Sequence, residues 1–77
     1  MKKIILVEWE DSNVTHGWMP ANEGAFQVAH CRTVGIVQLD NDHSLTLAMG
    51  DSDSGSVLET ITIPKGCITK IKELRTK

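Results

Sequence analysis

Tyrosine is absent from this chain, phenylalanine occurs once and tryptophan twice in 77 residues. So few aromatics leave few large anchors for a core or a stacked ligand, and each of Trp9, Trp18 and Phe26 needs a role. Cysteine is scarce too. Cys31 and Cys67 lie far apart without a C-x-x-C pair, which points to buried free thiols instead of a disulfide framework. No apolar run approaches the roughly 20 residues of a membrane-spanning helix. The start, Met1-Lys2-Lys3, is basic, but only Ile4 to Val7 separate it from Glu8. That is too short for a secretory signal, so a cytoplasmic location without membrane attachment is expected. The net charge of −2 argues against a duplex-DNA partner, because such binding depends on neutralising phosphates.

Metal and catalytic chemistry are equally thin. His16, His30, His43, Cys31 and Cys67 show no paired ligand spacing, so neither a metal nor another cofactor is expected. The Asp51-Ser52-Asp53-Ser54-Gly55 run has its glycine one place too early for a calcium loop and reads as a turn. His30 and Cys31 are adjacent, and neighbours in a strand face opposite sides, so they cannot form a nucleophile–base pair. With little volume for a deep pocket, the chain reads as non-enzymatic.

What is present is β pattern. Arg32 to Met49 holds two β-rich runs around Asp40-Asn41-Asp42-His43, and Ser44 to Met49 alternates with Leu45, Leu47 and Met49 on one face. That predicts a hairpin, with Asn and Asp in a loop whose backbone they can hydrogen-bond. Gly35 inside the first of these strands predicts a bulge or sharp bend. A first strand is expected over Lys3–Glu10, with Trp9 in line with Ile5 and Val7, and a fourth over Ser56–Ile63. Pro64–Cys67 reads as a tight 3₁₀ turn and Thr69–Leu74 as a fifth strand, although Ile68, Ile71 and Leu74 are also spaced for a short helix.

Between strands one and two, Asn13–Ala29 lacks β pattern, and Pro20 to Gly24 suits one helical turn within it. A connection this long in a small domain is usually functional. Residues 1–77 are thus expected to form a single all-β domain: a small five-stranded, strongly bent SH3-like or Sm-like barrel with one long loop containing a short helical turn.

Ile63-Pro64-Lys65-Gly66-Cys67-Ile68 resembles the I-P-x-x-x-V turn before the last strand of Src-homology-3 domains. Gly35-Ile36-Val37-Gln38-Leu39-Asp40, with Lys65-Gly66, Ile68 and Ile71, is similar to the two segments of Sm-like proteins, which implies ring assembly and single-stranded RNA binding. The order Val7-x-Trp9-x-Asp11, a Trp18-centred loop, Thr33-Val34-Gly35, a hairpin and Ile63-Pro64-Lys65-Gly66-x-Ile68-x-x-Ile71 resembles a group of small bacteriophage and prophage proteins. That resemblance implies an accessory protein acting on host machinery or host defence.

The binding residues expected are Trp18, as a stacking platform or partner anchor, and the basic tail through Lys65 and Arg75, which suits phosphate groups. Thr33 and Ser12 are expected to add hydroxyl contacts. The bland counterpart for Trp18 is a lid folded over one end of the domain, and for the tail a solvated strand. The function expected is sequestration of a small phosphate-bearing ligand, such as a host nucleotide immune signal, by a homo-oligomer. The alternatives are a protein-interaction module that blocks a host protein and Sm-like RNA binding.

Overall fold

The computed structural model describes residues 2–14, 16–21 and 26–75. Five strands follow the β-rich runs: β1 (Ile4–Asp11), β2 (Ala29–Asp40), β3 (Ser44–Asp51), β4 (Val57–Pro64) and β5 (Ile68–Leu74), with a 3₁₀ turn (Lys65–Cys67) between the last two. The tail is therefore a strand, because the turn after Pro64 resets the period that resembled a helix. The expected helical turn from Pro20 to Gly24 falls largely outside the described residues; Pro20 and Ala21 have no regular structure.

Every pairing is antiparallel, and the five strands form one sheet in the order β4-β3-β2-β1-β5. No pairing joins β4 to β5 among the described residues, so the sheet is open, with two edges. Yet β4 and β5 are consecutive in the chain. In a flat sheet they would stand roughly 19 Å apart, four spacings of about 4.8 Å. A three-residue 3₁₀ turn advances only about 6 Å, so the sheet must curve to bring these strand ends together. The core reflects that curvature: Ile5 and Val7 of β1 cluster with Leu45 and Leu47 of β3 and Ile63 of β4, although β2 runs between β1 and β3. Trp9, Val37, Ile61, Cys67 and Ile68 pack around them.

The β2–β3 turn is held by Asn41, whose Oδ1 accepts the backbone N–H groups of His43 and Ser44, both at 2.9 Å. The His43 carbonyl then accepts the Lys65 N–H at 2.9 Å, tying this turn to the 3₁₀ segment. The bulge expected at Gly35 sits three residues on, where the β2–β3 register shifts between Val37 and Leu39. Gly35 has a different role. A Cβ there would lie 2.8 Å from the Leu47 Cβ and 3.0 Å from the Ala48 carbonyl oxygen, so glycine allows β2 and β3 to approach where β2 passes from one partner strand to the other. Gly35→Ala is expected to lower stability by about 1–3 kcal/mol through overpacking, measured as a lower urea midpoint at unchanged slope.

β2 also begins earlier than the sequence suggests, at Ala29, because Ala29, His30 and Cys31 pair with Asp11, Glu10 and Trp9. At the other edge, Glu59 in β4 has a φ of 48°, a left-handed conformation that is costly for a side chain of this size.

Candidate functional site

The connection between β1 and β2 leaves the sheet at Asp11 and returns at Ala29, which face each other in register. Trp18 sits within it, after Gly17 at φ 84°, and is 105% exposed. Val14, at 71%, and Phe26, at 61%, are exposed on the same connection. The reading of Trp18 as a packed lid is thereby corrected: the ring touches no wall of the domain. Trp9 behaves oppositely. It packs against the core, and its Nε1–H donates to Thr33 Oγ1 at 3.0 Å. Both Trp residues thus have distinct placements, one structural and one open to solvent. Leaving an indole in water forgoes roughly 3 kcal/mol of burial free energy, which a partner's surface can recover.

The other expected site residues are scattered. Lys65 pairs with Asp40 beside the β2–β3 turn, and the Arg75 Nε lies 3.6 Å from Glu73 beyond the end of β5. The seven residues of β5 separate them, a span of roughly 23 Å at about 3.3 Å per residue. One phosphate cannot bridge both in a single chain. The Thr33 hydroxyl accepts from Trp9, and Ser12 lies just past β1, its backbone N–H donating to Asp11 Oδ1 at 2.8 Å. Because the Lys65–Asp40 pair is partly solvated, Lys65→Ala is expected to cost under about 1 kcal/mol, checked by urea unfolding at low and high salt.

A shallow cleft of about 280 Å³ lies at the Trp9 end of the sheet, lined by Glu8, Trp9, His30, Cys31, Arg32 and Thr69. It opens beside a break in the β1–β5 register between Glu8 and Trp9, where the Thr69 hydroxyl donates to the Glu8 carbonyl at 3.0 Å. The His30 Nδ1 is 3.5 Å from Glu10. Arg32 has no carboxylate within ion-pair distance among the described residues. The β1–β2 connection springs from this same end of the sheet.

His30, Arg32 and Thr69 are absent from the sequence-based set of binding residues. The signal for two of them was the alternation His30, Arg32, Val34 against Cys31, Thr33, Gly35, which carries β2 back towards the loop. Thr69 depends on the register break, which sequence spacing does not encode. Among the described residues, no group of three or more His, Cys, Asp or Glu side chains is arranged to hold a metal ion, and no helix is long and apolar enough to cross a membrane. Compared with protein-family models, curated proteins and solved structures, the chain matches none.

Proposed function

We propose that this chain is a small barrel of the SH3-like or Sm-like kind that works as an interaction module, docking a protein through the connection between β1 and β2. The observation that carries this reading is the full exposure of Trp18. Val14 and Phe26 are exposed on the same connection, and a set of large apolar side chains suits the surface of a protein better than it suits a small, charged ligand. The curvature forced by the short link from β4 to β5 supports the barrel. The resemblance to phage proteins supplies the context, an accessory protein that blocks a host protein.

The test is capture from host lysate on immobilised protein. A protein retained in stoichiometric amount by the natural chain and lost with Trp18→Ala supports this reading. Equal retention by both overturns it.

A second reading, sequestration of a phosphate-bearing ligand, is favoured by Arg32, which has no ion-pair partner among the described residues, with His30 and Thr69 at the cleft on the same end of the sheet as the connection. It takes its cation from Arg32 instead of the separated Lys65 and Arg75. Glu8 lines the cleft as well and weakens the local attraction for an anion. A phosphate compound released when freshly purified protein is denatured, and missing from Arg32→Ala, supports it.

A further inference from the structure

Residues opposite each other on adjacent strands share a face of the sheet. Ile5 and Val7 of β1 point into the core, so Ile4, Leu6 and Glu8 point away from it. Opposite Ile4 stand Ile36 and Leu74; opposite Leu6 stand Val34 and Lys72; opposite Glu8 stand Arg32 and Lys70. This outer face of β2-β1-β5 therefore has two zones. One is apolar, with Ile4, Val34 and Leu74 all exposed. The other is cationic: Arg32, Lys70 and Lys72 are exposed and have no carboxylate within ion-pair distance among the described residues, with Glu8 as the acid between two of them.

Strands β3 and β4, on the other side of β2 in the sheet order, carry the complementary pair of zones. The turn between β3 and β4 carries Asp51 and Asp53, neither of them in an ion pair among the described residues. Met49, Val57 and Leu58 are exposed beside it. The turn is preformed: Ser52 N–H donates to the Ser56 carbonyl at 2.9 Å, Gly55 N–H donates to the Ser52 carbonyl at 3.1 Å, and Gly55 takes the left-handed φ of 91°. A hollow of about 310 Å³ runs between Gly50–Ser52 and Ser56–Leu58.

We propose that a second copy of this chain covers the outer face, laying its acidic β3–β4 turn against Lys70 and Lys72 and its Met49 and Val57, which share a face with Asp51, against Ile4, Val34 and Leu74. Charge selects the pairing. Two outer faces repel through their cations and two turns repel through their carboxylates, so only face-to-turn contact joins opposite signs. Such an interface is heterologous, and copies added by it close into a ring or extend as a filament. The Trp18 connection takes no part and remains free for its own partner. Arg32 is shared with the phosphate reading, whereas Lys70 and Lys72 belong to the assembly alone, so the variants leave Arg32 in place.

Native mass spectrometry and sedimentation of the full chain test this. The natural protein is expected above monomer mass, falling towards monomer as salt is raised. K70E/K72E alone and D51K/D53K alone are each expected to associate at least about tenfold more weakly. Mixed in equal amounts they regain assembly, since each reversed surface then meets an opposite charge. K3E/K65E has the same net charge as K70E/K72E, lies outside the proposed contact, and is expected to assemble like the natural protein. Urea midpoints confirm that each variant is folded, and the two swaps, on different strands, check one another. A natural protein that stays monomeric up to high micromolar concentration overturns the proposal. So does association unaffected by either swap, failure of the mixture to reassemble, or dissociation of K3E/K65E as complete as that of K70E/K72E.

Discussion

Leu47→Ala is expected to lower the stability of the domain by about 2–5 kcal/mol. For 77 residues the whole stability is on the order of 4–12 kcal/mol, so this one change removes a large share of it. Leu47 is 1% exposed and belongs to the five-residue core cluster. It also lies against the glycine gap at residue 35, with its Cβ 2.8 Å from where a Gly35 Cβ would stand. The backbones are already close there, which limits how far the walls can collapse into the space left by the lost methyls. Urea unfolding followed by circular dichroism measures the loss; a midpoint within error of the natural protein would mean that the core is not built around β3.

Trp18→Ala is expected to do the reverse, leaving the urea midpoint unchanged while weakening partner binding by roughly 30-fold or more, the scale of an interface hot spot at about 2 kcal/mol. The split follows from exposure. At 105% exposed, Trp18 has no packing to lose in the free chain. Trp9 and Trp18 can be separated optically: in Trp9→Phe, Trp18 is the only indole, and its fluorescence should be quenched by acrylamide as readily as that of free tryptophan. Protection from quenching in the free protein would show that the ring is packed.

The fold was largely legible in the chain because the signals were local. Strict alternation over Ser44–Met49, Asn41 in a turn and Pro64 before a 3₁₀ segment each dictate backbone geometry within a few residues, and β1, β3, β4 and β5 lie within one or two residues of the expected bounds. β2 was less legible at both its special points. Its start at Ala29 depends on pairing with Asp11 across a connection of 17 residues, and its bulge falls at Gln38 because the β3 register, not the glycine, sets it. The site was less legible still. Lys65 and Arg75 are near in sequence and share a charge, but an extended strand carries them apart and gives each an acidic neighbour. Arg32 gave no such charge cluster, since its neighbours Lys70 and Lys72 arrive only through two strand pairings with β1. The exposure of Trp18 rests on what does not fold over it, which no local pattern encodes.

Parallel capture from cell lysate on the natural chain and on Trp18→Ala, with mass analysis of everything eluted, decides most directly whether the exposed Trp18 connection is the element through which this domain binds. A stoichiometric protein on the natural chain, lost from the variant at unchanged stability, is the expected result. The same protein retained equally by both, or nothing but a small phosphate compound released from either, would contradict it.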